Sequence, residues 1–311
     1  MGDTRDRAVP RTEGRIPFRG FETWYRVVGD GEAEGRLPVL CLHGGPGATH
    51  HHMEPYEALA GAGRRVVLYD QLGCGRSAIE APHDASMYTP ELFMEEIDAV
   101  RDALGLDRIH VLGHSWGGML GMQYAIGHPP GLAGLIVESS PASIPQWVAE
   151  ANRLRDELPP EVQAVLLRHE EAGTTDDPEY ERAMTVFYDR HVCRVRPYPD
   201  WLQATFDGIA ANPEVYHHMN GPSEFHVIGT IRDWDITDRL AEITVPTLVL
   251  SGRYDEATPA IAETVHRGIP GSEWVMFEQS SHMAQAEEPD EILRVVSEFL
   301  DRVESGTGGS S

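Results

Sequence analysis

The sequence predicts an α/β protein in which a mostly parallel sheet is flanked by helices on both sides. Three observations support this fold class. Short apolar runs typical of buried strands alternate with segments whose apolar residues recur at helical spacing. The predicted strands are apolar on both faces, as parallel strands covered by two helical layers are. One long helical stretch interrupts the alternation, so we expect a helical insertion between two parts of one core.

The first half of the chain contributes most of the predicted strands. They occupy residues 24–28, 37–42, 65–69, 109–112 and 135–137. The spacing of apolar residues predicts a helix over 91–104, with Gly105 as its stop. A second helix is predicted over 119–126. This order of strand and helix is typical of a parallel sheet with helical crossovers.

The second half begins with a stretch of different composition. From Pro141 onward the chain is polar and charged, with few signs of strands. Helices are predicted there over 146–158, 161–173 and 178–188. The alternation then resumes with strands at 247–250 and 274–277 and a last amphipathic helix over 288–303.

We therefore predict one α/β core in two parts with an inserted helical cap. The segments are the first part of the core (1–140), the cap (141–234), the second part of the core (235–303) and a flexible tail (304–311). The tail is predicted from its glycine- and serine-rich sequence, ESGTGGSS.

The composition limits the classes of partner. The chain has 50 acidic and 25 basic residues, all of the latter arginine, so the formal net charge is −25. Such a surface repels nucleic acid and anionic membranes. No apolar run reaches the length of a membrane span, and the polar N-terminus lacks the apolar core of a signal peptide. Three isolated cysteines fit a reducing compartment, so we expect a cytoplasmic protein.

The sequence GHSWGG at 113–118 carries the first catalytic signal. It fits the pattern G-x-S-x-G, with a predicted strand before it and a predicted helix after it. Side chains at Gly113 or Gly117 would clash in so tight a turn. Ser115 would adopt a strained backbone that lifts its hydroxyl clear of the sheet. We therefore predict that Ser115 is a nucleophile rather than part of a structural glycine turn.

A serine nucleophile needs a base and an acid that orients it. In the α/β-hydrolase fold these follow the serine in the order acid, then histidine. The segment SGRYDEATP, after a late strand, offers Asp255 and Glu256, and EQSSHMAQ, after the next strand, offers His282. His282 would act as general base and then general acid. The residue pattern alone favours neither Asp255 nor Glu256 clearly as the acid that orients the histidine.

The tetrahedral intermediate needs backbone N–H donors for its oxyanion. One is expected from Trp116, the residue after the nucleophile. The other is expected from HGGPG at 43–47, where glycines let the backbone approach the reacting carbonyl, and Gly45 is the candidate. HGGPG is not a phosphate loop, because no Gly-Lys-Ser/Thr follows it.

Histidine runs raise the question of a metal. His50, His51 and His52 are consecutive, so their side chains should point in different directions, and no cysteine or carboxylate is expected to complete a ligand set. His217 and His218 receive the same interpretation. We predict no metal, and that the first run is solvated or begins a helix.

Four segments together resemble the prolyl iminopeptidase family of α/β-hydrolase serine peptidases. They are HGGPG, DQLGCGRS, GHSWGGM and the pair SGRYDEATP and SSHM. The similarity covers about 23–300, and residues 219–240 resemble the tricorn-interacting aminopeptidase branch. The resemblance implies Asp255 as the triad acid, a helical cap, no metal and no organic cofactor. It also implies removal of N-terminal residues, often proline, from short peptides.

The resemblance further implies that Glu224, in GPSEF, and Glu256 hold the free amino terminus of the substrate. An exopeptidase must place the bond that lies one residue from the terminal ammonium group at its nucleophile. Carboxylates can do so by binding that ammonium group with charge-assisted hydrogen bonds. The alternative is a small-molecule amidase or esterase that hydrolyses amino-acid amides or esters with the same triad. A catalytically silent binding protein is a third hypothesis, and the intact triad and oxyanion loop argue against it.

Overall fold

The structure is a computed structural model that describes residues 9–80 and 83–306. One eight-stranded sheet forms its centre. In chain order its strands are β1 (Arg11–Phe18), β2 (Phe21–Val28), β3 (Val39–Leu42), β4 (Val66–Tyr69), β5 (Ile109–His114), β6 (Leu132–Glu138), β7 (Thr247–Gly252) and β8 (Glu273–Phe277). Their spatial order is β1-β2-β4-β3-β5-β6-β7-β8. The β1–β2 and β2–β4 pairs are antiparallel, and every other pair is parallel.

Helices connect and cover these strands. The α-helices are α1 (Pro90–Leu104), α2 (Trp116–Ile126), α3 (Ile144–Arg155), α4 (Pro160–Ala172), α5 (Pro178–His191), α6 (Asp200–Ala211), α7 (Glu214–Met219), α8 (Pro259–Gly268), α9 (Ala284–Glu287) and α10 (Pro289–Glu304). Short 3₁₀ helices occupy His50–Ala62, Gly75–Ser77, Ala85–Met87 and Thr237–Glu242. Within the described residues, no helix combines the length and apolarity needed to cross a bilayer.

Both faces of the sheet are buried, as the apolar strands predict. Val111 of β5 packs into the hydrophobic cluster that contains Ile97 of α1, whereas the next residue, Leu112, packs with Phe299 of α10. Successive side chains of a strand point to opposite faces, so one strand contributes to both layers. The predicted fold class, a mostly parallel sheet flanked by helices, is confirmed.

The predicted helices over 91–104 and 119–126 correspond to α1 and α2. Helix α1 ends where predicted, with Gly105 in the left-handed conformation at φ 62°. Helix α2 begins three residues earlier than predicted, at Trp116, because it starts directly after the turn that contains Ser115.

Helices α3 to α7 lie between β6 and β7. Three of them correspond to the helices predicted over 146–158, 161–173 and 178–188, and α6 and α7 are additional. Part of this segment packs around a hydrophobic cluster of its own that includes Leu166, Tyr180 and Phe187. The proposed boundaries of the cap at 141 and 234 stay a prediction.

Strand β1 was not predicted from the sequence. It lies at the edge of the sheet, and of its eight residues only Ile16 and Phe18 are buried. Its central residue, Gly14, leaves the space that the ring of Tyr25 fills across the strand pair. An edge strand that contains glycine and proline and exposes most of its side chains carries little hydrophobic signal.

Helix α10 extends one residue beyond position 303, where the second core segment was predicted to end, and that boundary stays a prediction. Helix α10 includes Glu304, whose side chain is only 4% exposed. Its carboxylate accepts a hydrogen bond from Arg64 Nη1 at 2.5 Å and from the Leu37 N–H at 2.9 Å. Glu304 therefore ties the last helix to the loop before β3. Residues 307–311 of the predicted flexible tail lie outside the described residues.

Candidate active site

Ser115 lies at a sharp bend between β5 and α2. Its backbone has φ 55° and ψ −122°, a strained conformation for a residue with a side chain. A Cβ atom at Gly113 would overlap the carbonyl oxygen of Gly117, and one at Gly117 would overlap that of Leu42. The Ser115 N–H donates to the Glu138 carbonyl oxygen at 2.9 Å, which fixes the bend to strand β6. The steric reason predicted for the two glycines therefore holds.

Asp255 and His282 come together from the loops after β7 and β8. His282 Nδ1 lies 2.7 Å from Asp255 Oδ1, and both residues are buried. Asp255 Oδ1 also accepts the Ala257 N–H at 2.7 Å. Burial alone would lower the pKa of His282, but the charge and hydrogen bond of Asp255 outweigh it and raise that pKa.

The structure distinguishes the two carboxylates that the residue pattern left as alternatives for the orienting acid. Asp255 meets Nδ1 of His282, whereas Glu256 Oε1 lies 3.8 Å from Nε2 on the other side of the ring. Only Asp255 can orient the imidazole with Nε2 left for the nucleophile. Within the described residues the Ser115 hydroxyl makes no hydrogen bond, and it faces the same cavity as His282. Catalytic hydrogen bonds are often long or poorly aligned before substrate binds.

Two small cavities meet at Ser115. We call the first the acidic cavity, because Glu224 and Glu256 line it together with Ser115 and His282. The second, the apolar cavity, also reaches Ser115 and Glu224. Most of its remaining wall is apolar or aromatic and is formed by Trp116, Met119, Pro141, Ile144, Trp147 and Ile231. A substrate carbonyl at Ser115 would have a charged environment on one side and an apolar one on the other.

The predicted oxyanion donors lie beside Ser115. Gly45 lines both cavities, and its φ of 115° is one that residues with side chains rarely adopt. Trp116 is the first residue of α2, so its N–H has no partner within the helix. The Trp116 side chain is fixed by a hydrogen bond from its Nε1 to Gln71 Oε1 at 2.9 Å. The roles of Gly45 and Trp116 stay a prediction.

Glu224 and Glu256 differ in their partners. Glu224 Oε1 accepts a hydrogen bond from the Tyr216 hydroxyl at 2.6 Å. Glu256 is 1% exposed, and neither of its carboxylate oxygens has a hydrogen-bond partner among the described residues. Desolvation raises the pKa of both groups, and the mutual repulsion of the two carboxylates raises that of Glu256 further. Glu256 is thus a buried acidic group to which no described residue donates a hydrogen bond.

Glu138 is a buried carboxylate beneath the site that the sequence reasoning missed. The Tyr56 hydroxyl donates to its Oε2 at 2.5 Å, and Oε1 has no partner within the described residues. Burial raises the pKa of Glu138 to about 8, so it is mostly protonated at neutral pH. The sequence feature that could have identified Glu138 is its position as a glutamate at the end of an otherwise apolar strand, LAGLIVE.

The expectation that no carboxylate lies beside the histidine run was wrong. His50, His51 and Glu54 bring ligand atoms within 4.8 Å of one another, because the 3₁₀ helix that begins at His50 places Glu54 one turn later. The rings of His50 and His51 stack, with centroids 4.1 Å apart, rather than diverging. Glu54 already pairs with Arg26 at 2.7 Å, and His50 Nδ1 lies 2.8 Å from Asp70. These contacts give the three residues a structural explanation.

Comparisons with known proteins identify the family of this chain. A family model described as the alpha/beta hydrolase fold matches residues 38–289. The proline iminopeptidase of Saccharolobus solfataricus is 44% identical over 90% of this chain and 88% of its own length. That of Heyndrickxia coagulans is 40% identical over 94% of this chain and 97% of its own.

Solved structures give the same result. The crystal structure of VinJ is 46% identical, with a TM-score of 0.90, over 94% of this chain and 99% of its own. The proline iminopeptidase of Mycobacterium smegmatis is 44% identical, with a TM-score of 0.88, over 95% of this chain and 100% of its own. The resemblance inferred from the four motifs is confirmed. The chain belongs to the proline iminopeptidase family of α/β hydrolases.

Proposed function

We propose that the protein is a serine aminopeptidase that releases N-terminal residues, proline among them, from short peptides. The observation that carries the proposal is Glu256, a buried carboxylate without a hydrogen-bond partner among the described residues, in the cavity that holds Ser115. A buried carboxylate is costly unless it is paired. The α-ammonium group of a peptide would supply both the charge and the hydrogen-bond donors, shared with Glu224.

The proposed reaction begins with the amino terminus between the two glutamates and the first carbonyl at Ser115. His282 takes the Ser115 proton while the oxygen attacks that carbonyl, and the resulting oxyanion is bound by the N–H groups of Gly45 and Trp116. Asp255 stabilises the imidazolium of His282. His282 then protonates the leaving amine, and the shortened peptide departs.

The second half of the reaction frees the amino acid. His282 removes a proton from water, which attacks the acyl carbon of the ester on Ser115. When the tetrahedral intermediate collapses, His282 returns the proton to the Ser115 oxygen. The N-terminal residue leaves as a free amino acid, and the enzyme is restored without a cofactor.

The surroundings of the site support short substrates. Phe206 and Ile209 of α6, together with Val192, line the acidic cavity that contains Ser115. These side chains leave only a small cavity at the nucleophile, which favours short substrates over folded proteins. We propose short peptides or amino-acid amides as substrates. The three cysteines are all unpaired, which supports our proposal of a cytoplasmic location.

The second candidate function is hydrolysis of small amino-acid amides or esters. Glu224 and Glu256 would recognise any substrate with a free α-amine, whether its leaving group is a peptide, a simple amine or an alcohol. The mostly apolar and aromatic lining of the apolar cavity suits an apolar part of a small molecule as well as a side chain. The two functions therefore differ in the leaving group and share the acyl half of the substrate.

The test compares substrates and one substitution. Prolyl, alanyl and leucyl anilides, each with a free and a blocked amine, are measured for kcat/KM beside a simple acyl ester. We expect wild type to prefer free-amine anilides. Glu256→Gln should lower kcat/KM on those by about 10- to 100-fold, since a hydrogen bond to a charged group contributes about 1.5–3 kcal/mol. Blocked substrates should change little.

Two controls accompany this comparison. Glu298→Gln removes an equal charge from the exposed face of α10 and should leave kcat/KM unchanged. Ser115→Ala supplies the background rate without the nucleophile. Equal losses on free and blocked substrates in Glu256→Gln would count against recognition of the amine. Preference of the wild type for blocked amides or the ester would favour the amidase or esterase function.

A further inference from the structure

Histidines outside the triad hold the oxyanion loop, residues 43–47. The Gly44 N–H donates to Nε2 of His52 at 3.1 Å. On the other side, Nδ1 of His43 lies 2.9 Å from the Gly44 carbonyl oxygen, and its Nε2 accepts the Gln71 N–H at 2.9 Å. Imidazoles therefore fix both the amide hydrogen and the carbonyl oxygen of Gly44.

Gly44 is in direct contact with the nucleophile. A Cβ atom added to Gly44 would lie only 3.1 Å from the Cβ of Ser115, closer than ordinary van der Waals contact, so the loop leaves no room for a side chain beside the serine. The following residue is Gly45, the proposed oxyanion donor. A glycine pair has wide conformational freedom, so its position depends on the groups that hydrogen-bond to it. His52 is one of these groups, and it lines the acidic cavity.

The hydrogen bonds define the proton positions of two buried rings. His52 accepts at Nε2, so its proton is on Nδ1. His114 faces the His282 carbonyl oxygen at 2.9 Å through Nε2, so its proton is on Nε2 and its Nδ1 is an acceptor. The two Nδ1 atoms are buried without partners among the described residues, and the ring centroids are 5.1 Å apart. The two rings pack edge to face, at an interplanar angle of 62°.

We propose that His52 is a positioning residue for catalysis. Its neutral imidazole holds Gly44 so that the Gly45 N–H stays where the oxyanion develops. The His52 ring also packs against that of His114, whose Nε2 faces the His282 carbonyl oxygen. The proposal rests on the proposed serine-hydrolase function, since it assigns a task within that mechanism.

His52 can act in this way only while it is neutral, because a protonated imidazole has no acceptor. Burial, followed by the like charges of His114, His43, His282 and His50, lowers its pKa well below the ordinary value. The carboxylates that face it across the acidic cavity are Glu224 and Glu256. The acceptor is therefore available at the pH values at which His282 works as a base.

The test compares His52→Gln with His52→Met. The two side chains have similar length and volume, and only glutamine carries an oxygen acceptor near the position of the histidine Nε2. We expect His52→Gln to keep kcat within about 3-fold of wild type. His52→Met should lower kcat by about 10- to 100-fold, less than the loss of a whole oxyanion donor. KM and inhibition by the free amino acid should change less than about 2-fold.

A second measurement isolates the oxyanion. An amino aldehyde such as prolinal forms a hemiacetal with Ser115 and places an oxygen in the oxyanion site, whereas free proline does not. His52→Met should weaken inhibition by the aldehyde in parallel with kcat and leave inhibition by proline unchanged. His52→Asn, which is too short to reach Gly44, should behave like His52→Met and serves in its place if that variant does not fold.

Wild-type kcat in folded His52→Met or His52→Asn would overturn the proposal. An equal weakening of aldehyde and proline inhibition would also overturn it, because it would indicate general disruption of the site. The kcat comparison can be made on any substrate that wild type turns over, including a simple ester. Failure of the aminopeptidase proposal would appear in the wild-type preference among substrates, and is thereby distinguished from failure of the role of His52.

Discussion

Asp255 and Glu256 are adjacent in sequence and chemically alike, yet the backbone gives them different tasks. Asp255 accepts N–H groups from Ala257 and Gly252 and faces Nδ1 of His282. Glu256 receives no hydrogen bond from the described residues and faces Nε2. Consecutive side chains in this loop point to opposite sides of the imidazole. Asp255 is hydrogen-bonded by the protein, whereas Glu256 is the carboxylate that we propose to bind the substrate ammonium.

This difference predicts distinct outcomes for the two amide substitutions. Asp255→Asn should lower kcat by about 10⁴-fold on every substrate, because the charge that stabilises imidazolium is lost. Its removal should also lower the pKa of His282, since Asp255 is what raises it, and shift the acidic limb of the kcat/KM profile to lower pH. A pH–rate profile on a simple ester measures both effects. A larger loss on that ester in Glu256→Gln than in Asp255→Asn would reverse the assignment.

At the scale of elements, the oxyanion loop is packed directly against the helical insertion. Gly47 has φ 103°, and a Cβ atom there would overlap the backbone of Tyr216 in α7. The hydroxyl of the same tyrosine donates to Glu224. The close contact at Gly47 thus fixes the distance between the proposed oxyanion loop and α7, the helix that orients Glu224, which we propose to bind the amine.

Gly47→Ala should therefore disturb both stability and substrate recognition. The left-handed backbone and the overlap with Tyr216 together should lower the free energy of unfolding by about 3 kcal/mol or more. The matched control is Gly173→Ala, which has φ 65° and no atom within 4 Å of the added Cβ. It should cost only about 1 kcal/mol. Denaturant unfolding and kcat/KM on free-amine anilides measure the two effects. Equal losses of stability in the two variants would show that the contact with α7 is unimportant.

Elements with strong apolar patterns were predictable from the sequence, and those whose stability depends on tertiary contacts were not. Strands β3 and β4 are fully buried and have continuous apolar sequences, and β5 is fully buried with an apolar centre. Strand β1 depends on pairing with β2, and its alternation is obscured by Gly14 and Pro17. Helix α7 has only six residues, too few for a periodic signal.

The site was predictable to a similar degree. Ser115 and His282 follow from motifs and chain order, because the fold requires them at the ends of particular strands. His52 and Glu138 carry no motif. Their surroundings come from segments far away in sequence, such as the ring contact of His52 with His114 and the hydrogen bond of Glu138 with Tyr56. A hydrogen bond between distant segments leaves no periodic or local pattern to recognise.

At the scale of the whole molecule, the core contains two kinds of buried group that stay uncharged. Buried histidines stay neutral in mild acid, and buried carboxyl groups stay neutral near pH 7. Burial lowers the pKa of His43 to about 4 and of His114 to about 3. As pH falls below 6.5, histidines in the unfolded chain bind protons that these two do not, so stability decreases toward acid. Burial raises the pKa of Glu96 and Glu138 to about 8. These stay protonated when unfolded carboxyls ionise, so stability decreases as pH rises from 4.5 to 8.

The two effects oppose each other between pH 4.5 and 6.5, and above 6.5 the buried carboxyls dominate. Glu96→Gln isolates their contribution, because glutamine imitates the protonated acid. Its oxygen can accept the Leu72 N–H, and its amide can donate to Thr23. The free energy of unfolding of this variant should match that of wild type near pH 5 and exceed it at pH 8.5 by an amount on the order of a few kcal/mol.

The control must separate burial from the net charge of −25, which also changes with each glutamate removed. Glu95→Gln removes the same charge from the neighbouring position, where the side chain is 51% exposed and pairs with Arg19. Its free energy of unfolding should differ from that of wild type by a nearly constant amount between pH 5 and 8.5. Urea unfolding at steps of half a pH unit gives both curves. If the Glu96→Gln curve also runs parallel to wild type, Glu96 is ionised in the native protein, and its buried charge must be stabilised by Thr23 and the Leu72 N–H.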